Sequence, residues 1–207
     1  EPAVIGEHRI GCFLGVDEPV VDIQQTVNLA YDLTKINGRF SNLDTALEKH
    51  FRVQDFIRYD PTNALRTIHS FIAFKGPASV NLGLCSASLQ AIGTGLQAIR
   101  QGRVDVAIVG GISAKITPEH YIGLESVDII ATDDRLDPTA LSRPFEMRRS
   151  GYVPAEGAVL FLLESLESCL QGGREPLLEL VGYGTSTNAS HIVKPALDSR
   201  EMKLSMT

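Results

Sequence analysis

The residue best placed for chemistry is Cys85, in the stretch Ala78-Ser-Val-Asn-Leu-Gly-Leu-Cys-Ser-Ala-Ser-Leu-Gln-Ala-Ile-Gly93. Val80 to Leu84 alternates weakly and reads as a short buried strand. From Ser86 onward Leu89, Ile92, Leu96 and Ile99 recur at helical spacing, with Ala87, Ala91 and Ala98 as helix formers. The pattern puts Cys85 in the first turn of a buried helix, where unpaired backbone N–H groups and the helix dipole favour an anion. A thiolate is such an anion, and it is the nucleophilic form of cysteine. Packing is the competing reading, because free cysteine is among the most buried residue types.

The other reactive side chains are less pointed. Cys12 lies in the apolar run Ile10 to Val16 and reads as core, and Cys169 reads as packing on a short amphipathic helix. Three widely spaced cysteines argue against a disulfide scaffold or a zinc site and for a reducing compartment. No metal site is expected. With a net charge of −6 and no basic run longer than Arg148-Arg149, nucleic-acid binding has no support. Gly93-Thr-Gly95 lies inside the predicted helix and not on the turn before it, so it is not a nucleotide-binding loop. Asn188-Ala-Ser190 matches a glycosylation sequon but comes without a secretory signal.

The elements that must position Cys85 follow from apolar periodicity. Arg9 to Val16 reads as a strand, Val20 to Ile36 as an amphipathic helix stopped by Asn37-Gly38, and Asn63 to Phe74 as a helix after Pro61. Residues 42 to 60 read as loop or short helix. Val104 to Val109, broken only by Asp105, reads as a strand buried on both faces. Joined by the helix after Cys85, that strand and Val80 to Leu84 are expected to pair in parallel, with Gly110-Gly111 as a turn. Residues 112 to 156 read as a long irregular stretch of the kind that surrounds a site. Two further strands, Ala158 to Glu164 and Leu177 to Tyr183, flank a helix over 165 to 172, and another helix starts near 198. Hydrophobic residues make up 43% and charged residues 21%, a globular composition, and no apolar run approaches the ~20 residues of a bilayer span. The start, Glu-Pro-Ala-Val, has neither an initiator Met nor a signal pattern, so the chain is expected to begin inside a longer polypeptide.

Six blocks carry a family resemblance. They are Gly76-Pro-Ala-Ser79, Cys85-Ser-Ala-Ser-Leu-Gln-Ala-Ile-Gly93, Gly102-Arg-Val-Asp-Val-Ala-Ile-Val-Gly-Gly111, Ser142-Arg-Pro-Phe145, Gly151-Tyr-Val-Pro-Ala-Glu-Gly-Ala-Val159 and Leu180-Val-Gly-Tyr-Gly-Thr-Ser186. In this order and spacing the chain resembles the β-ketoacyl-(acyl carrier protein) synthases, the condensing enzymes of fatty-acid and polyketide assembly, from Arg9 to Pro195.

The resemblance implies an α/β class fold, the thiolase-like layered α/β/α/β/α sandwich of two pseudo-duplicated halves. This chain covers the first, nucleophile-bearing half. Residues 1–207 are thus expected to be a partial ketosynthase domain, truncated at both ends relative to the family. It implies an acyltransferase that holds the acyl group as a thioester on Cys85 during decarboxylative condensation. It also implies no cofactor of the chain's own, since phosphopantetheine arrives on the acyl carrier protein. The family's two catalytic histidines belong to the second half, in His-Gly-Thr-Gly-like and Gly-His motifs. None of His8, His50, His69, His120 and His191 lies in either motif, so these 207 residues alone are not expected to complete a condensation. His191, in Asn-Ala-Ser-His, matches a family loop on the substrate side, with an ordinary surface histidine as the other reading. Arg149 matches a basic position facing the carrier protein and Arg148 strengthens it, with a solvated pair as the other reading. Glu156 falls in a structural turn, with Arg143 as its expected partner.

Three departures bear on substrate more than on fold: Pro154 within a glycine-rich family motif, Gly83-Leu84 before the cysteine, and Asp17-Glu18-Pro19 where relatives line the acyl pocket with small or apolar residues. The last implies a shorter or more polar acyl group or a redirected loop. The expected partners are an acyl carrier protein and a second ketosynthase-like subunit, as homodimer or heterodimer, paired through Val80 to Leu84. The location implied is cytoplasmic. A non-catalytic partner subunit that shapes an active enzyme's acyl tunnel is the alternative, and a thiolase acting on coenzyme A esters shares the fold. A half of this kind should expose a wide apolar face.

Overall fold

The computed structural model of the chain describes residues 5–18, 22–35, 43–133, 135, 137–191 and 196–206. The apolar run after Arg9 forms β1 (Ile10–Val16), which is buried along nearly its whole length. β2 (Ala78–Asn81), β3 (Val106–Ser113) and β4 (Gly157–Glu164) complete a sheet in the order β2-β1-β3-β4. β1 pairs in parallel with β2, from Cys12 opposite Ala78 to Gly15 opposite Asn81. It also pairs in parallel with β3, from Ile10 opposite Val106 to Val16 opposite Ile112. The strands before and after Cys85's helix therefore do not pair with each other, contrary to the parallel pairing expected from the sequence. They run parallel on either side of β1, because β1 is apolar throughout and offers both of its edges.

Two layers of helix cover this sheet. On one face, Cys12, Leu14 and Val16 of β1 and Ile108 of β3 pack with Ile68 of α4 (Asn63–His69) and with Phe74. On the other, Phe13, Ala107 and Val109 pack with Ala91 and Ala98 of α5 (Ala87–Arg100) and with Val104. The two sets follow the period of two that a strand imposes on its side chains. Asp105, the one charged residue in the Val104–Val109 run, accepts two hydrogen bonds from the Arg9 guanidinium at 3.0 and 2.5 Å, so the starts of β1 and β3 are tied together. α4 is shorter than the helix expected to Phe74, since the Phe74 N–H turns back onto His69 Nδ1 (3.4 Å).

Gly110 and Gly111 lie inside β3 and make no turn. Gly110 has φ +153°, and a Cβ there would lie 3.0 Å from Leu160 Cα of β4. Leu177 to Tyr183 is not a strand. It lies against α5, where the Arg100 guanidinium donates to the Val181 carbonyl (3.0 Å) and the Tyr183 ring covers Gly93. α7 (Leu166–Gln171) and α8 (Arg200–Leu204) complete this unit, which gathers the residues through Val16, Ala64–Ile112 and those from Val159 onward.

The second compact unit comprises Asp17–Asn63 and Ser113–Ala158. It carries α1 (Ile23–Lys35), α2 (Leu43–His50), α3 (Val53–Tyr59) and α6 (Pro118–Ser126). Asp32 of α1 accepts from Lys49 Nζ (2.6 Å) and lies 2.8 Å from His50 Nε2, both on α2. The hydrogen bonds from these two side chains, Lys49 foremost, hold the Asp32 carboxyl down at about 2. The stop expected at Asn37-Gly38 falls outside the described residues. Among the described residues from 114 to 156 the chain is largely irregular, as expected, apart from α6, one short turn at Pro138–Ala140 and a bridge from Ile130 to Tyr152.

Candidate active site

The site is assembled from the turn that carries Cys85. β2 ends at Asn81, three residues earlier than expected, because the chain must leave the sheet to turn. Gly83 and Leu84 make the turn, and Leu84 takes φ +50°, a left-handed conformation that costs a side-chain-bearing residue about 1–2 kcal/mol. A single tight turn, Leu84–Ser86, then leads into α5. Cys85 is exposed, whereas Cys12 and Cys169 are buried. Burial pushes the Cys12 thiol up to about 11, which makes it inert.

α5 begins without a side-chain cap. Ser86, which occupies the cap position, instead donates its hydroxyl to the Gly83 carbonyl (3.0 Å). The Ala87 N–H, the first of α5, donates to the Leu84 carbonyl, and no side chain caps the rest of the first turn, where the helix dipole favours negative charge.

Two glycines decide how closely α5 approaches the sheet: Gly15, to which the sequence reading gave no role, and Gly111, which it expected in a turn. A Cβ on Gly15 of β1 would lie 2.6 Å from Ser88 Cα, and one on Gly111 of β3 would lie 2.8 Å from Ser88 Cβ. The helix start is therefore pressed onto β1 and β3. Further along, a Cβ on Gly95 would run into Val109 Cγ1 and lie 3.3 Å from Ala107 Cβ, so the missing side chain of Gly95 keeps the contact close. Glycine at strand positions opposite a helix start was the available signal.

The remaining expected residues are distributed as follows. His191 is exposed in the irregular stretch after Tyr183, in the same unit as Cys85. Arg148 and Arg149 belong to the second unit and are exposed. Glu146 organises them: Arg148 Nε donates to its carboxylate at 2.7 Å, and Arg149 donates to its carbonyl at 2.9 Å. Arg143 does not meet Glu156. Its Nε donates to the Ala140 carbonyl (2.6 Å) and its other end reaches Glu146 (3.4 Å), three residues away and so the nearer carboxylate. Glu156 is exposed and accepts the Ile116 N–H at 2.7 Å, a structural contact.

The Asp17-Glu18 pair is engaged locally: the Ser113 hydroxyl donates to Asp17 and Lys115 pairs with Glu18. Lys115 holds the Glu18 carboxyl below its usual range. These contacts favour the redirected loop over carboxylates aimed at an acyl group. Among the described residues no group of His, Cys, Asp or Glu could hold a metal ion, and no helix is long and apolar enough to cross a membrane.

The model of the β-ketoacyl synthase N-terminal domain family matches residues 3–168. The chain is 30% identical to the tetracenomycin polyketide synthase ketoacyl synthase alpha subunit of Streptomyces glaucescens, over 100% of the chain and 47% of that protein. Among solved structures it resembles a type II polyketide synthase ketosynthase, bound to the hexaketide and in complex with its acyl-carrier protein. The TM-score there is 0.73 at 26% identity, covering 90% of this chain and 44% of that one. It also resembles a ketosynthase in complex with its chain length factor from Xenorhabdus doucetiae, with a TM-score of 0.66 at 25% identity, covering 97% and 43%. The chain thus spans about half the length of these relatives, and its sheet and helices are the corresponding half of the thiolase-like α/β fold.

Proposed function

Since the chain belongs to the β-ketoacyl synthase family, in which it supplies the N-terminal domain, we propose that Cys85 is the acyl-accepting nucleophile of a decarboxylative condensation in polyketide or fatty-acid assembly. One observation carries this reading: Cys85 alone of the three cysteines is exposed, at the start of a helix that no side chain caps. The Cys85 sulfur attacks the carbonyl of a carrier-bound acyl thioester. An S–C bond forms to Cys85, the bond to the phosphopantetheine sulfur breaks, and the thiol proton leaves with the pantetheine thiol. The Cys85 N–H serves as one oxyanion donor. In the second step a malonyl thioester loses carbon dioxide, its carbanion attacks the acyl carbonyl, and the Cys85 S–C bond breaks as the new C–C bond forms. The histidines for that step are assigned to a second half, like that of the relatives.

The partners follow from the same reading. An acidic carrier protein would meet Arg148 and Arg149, both exposed, and His191 would lie on the substrate side. A second ketosynthase-like subunit would pair along β2, an edge strand of the sheet. The second half would cover β4, whose residues Gly157 to Leu162 are exposed, together with Leu177 and Leu178. No cofactor beyond the carrier's phosphopantetheine is invoked, and the proposed location is the cytoplasm.

The test is acyl transfer to the full polypeptide that carries this chain. With a labelled acyl-carrier thioester, label should collect on the Cys85 peptide and vanish in Cys85→Ala. Label that persists in Cys85→Ala would refute the assignment. Absence of label on the unaltered protein, with a paired enzyme active only in its presence, would establish the partner-subunit reading, which the likeness to a ketosynthase–chain length factor complex supports.

A further inference from the structure

Three side-chain hydrogen bonds run in one direction through the turn that carries Cys85. Asn81 Nδ2, at the end of β2, donates to Gln90 Oε1 on α5 (2.7 Å). Gln90 Nε2 donates to Ser86 Oγ (2.7 Å), and Ser86 Oγ donates to the Gly83 carbonyl (3.0 Å). Each amide uses its nitrogen as donor and each acceptor is an oxygen, so the polarity of every link is set by the one before it. The relay starts in the sheet, passes through the second turn of α5 and closes on the residue two before the cysteine. It encloses Leu84, whose φ of +50° marks a backbone that its surroundings must hold in place.

We infer that Asn81 and Gln90 are positioning residues for Cys85: their amides lock the Gly83–Ser86 turn so that the thiol stays at the start of α5. The inference rests on Cys85 being the acyl acceptor, and neither amide touches the reacting atoms. Its content lies in polarity and not in packing. In Gln90→Glu the side chain keeps its size, but both oxygens accept. The Ser86 hydroxyl must then donate to Glu and abandon the Gly83 carbonyl. In Asn81→Asp the Gln90 amide must flip to donate to the new carboxylate. Its oxygen then faces Ser86, and the hydroxyl is again drawn away from Gly83. Two nearly isosteric changes at opposite ends thus break the same final bond.

The experiment uses the full polypeptide and two readouts. Single-turnover acylation from an acyl-carrier thioester gives a maximal rate and a half-saturating concentration. The rate at which iodoacetamide modifies the Cys85 peptide, followed by mass spectrometry, reads the thiol without any acyl donor. In Gln90→Glu and in Asn81→Asp the maximal acylation rate should fall about tenfold at unchanged half-saturation, since misplacement at a reacting centre costs rate and not encounter. Cys85 alkylation should change by a similar factor, and the double variant should be no worse than the more affected single. Gln90→Met and Asn81→Ala serve if a charged variant does not fold, and they should show a smaller loss in the same direction. Wild-type acylation and alkylation rates in folded variants would overturn the relay while leaving Cys85 as acyl acceptor. A fall in melting temperature with no change in either rate would overturn it equally, since that outcome assigns the amides to stability alone. Acyl label that survives Cys85→Ala would refute the proposed function instead, and alkylation would still decide whether the relay holds the thiol.

Discussion

Replacing Gly15 by alanine puts a methyl group where the backbone of α5 already stands. The new Cβ would lie 2.6 Å from Ser88 Cα and nearer still to the Ser88 nitrogen and the Ala87 carbonyl carbon. Carbon atoms come into favourable contact only near ~3.5 Å, so the start of α5 must retreat by about 1 Å. Neither side can yield cheaply, because β1 is buried from both faces and the obstacle is main chain. The cost belongs at the top of the usual overpacking range, about 3 kcal/mol. For a chain of this size that lowers the melting temperature by roughly 6–12 °C, measurable by circular dichroism. Gly111→Ala differs in kind, since its obstacle is the Ser88 side chain alone. Judged against Ser88→Gly alone, adding Gly111→Ala should then cost little, whereas adding Gly15→Ala should cost nearly as much as before. Gly123 in α6 supplies the opposite sign: a Cβ there meets nothing within 4 Å, so Gly123→Ala should stabilise by about 0.4–1 kcal/mol. A Gly15→Ala protein within about 0.5 kcal/mol of the original would refute the close seat of α5 on the sheet.

Two further outcomes follow from the electrostatics and the surface. Lys49 and His50 hold the Asp32 carboxyl at about 2, below the ~3.9 of an unfolded chain. A lowered folded value contributes stability above that unfolded value and loses it as pH falls through about 2. Asp32→Asn should therefore lower the urea midpoint at pH 6, with the deficit closing between about pH 4 and pH 2; a deficit constant across that window would count against the Asp32 cluster. At the surface, Leu177 and Leu178 are 98% and 71% exposed, and β4 is exposed from Gly157 to Leu162. The 207-residue chain by itself should bind a hydrophobic dye and self-associate in analytical ultracentrifugation, less so in Leu177→Glu/Leu178→Glu, and a monodisperse monomer with no dye binding would contradict this.

The parts legible in the sequence are those whose physics is local. Cys85 at a strand-to-helix junction follows from a change of apolar period over a few residues, and α5 appears nearly where its Leu and Ile spacing puts it. β1, β3, β4 and α7 are likewise runs that announce themselves. Strand order is another matter, because an apolar strand does not state which of its neighbours it will accept. The misplaced pairing of β2 with β3 arose there, since β1 was equally able to stand between them. Leu177 to Tyr183 failed for a related reason: Leu, Val and Tyr suit a helix surface as well as a sheet edge, and Gly93 leaves room for the Tyr183 ring on α5. The expected Arg143–Glu156 pair gave way to Glu146 because a carboxylate three residues along the chain needs no long-range ordering to meet it.

What positions the thiol is least visible in sequence because much of it consists of missing atoms. Gly15 and Gly111 act by carrying no side chain, and their partner Ser88 lies far from Gly15 along the chain. The turn above them is held and not preferred. Leu84 costs about 1–2 kcal/mol at φ +50°, and it is held there by the Ser86 N–H bond to the Gly83 carbonyl (3.2 Å) together with the Asn81–Gln90–Ser86 relay, each bond contributing about 1 kcal/mol. Because the side-chain bonds of the turn all run through the relay, the turn is sensitive to the polarity of single amides while the sheet beneath it stays insensitive. The helix start is fixed to the sheet from below by the glycines, and the cysteine is fixed to the helix start from above by the relay. Removing either constraint should move the thiol, but only loss of the glycine seat should also unfold the protein at markedly lower temperature.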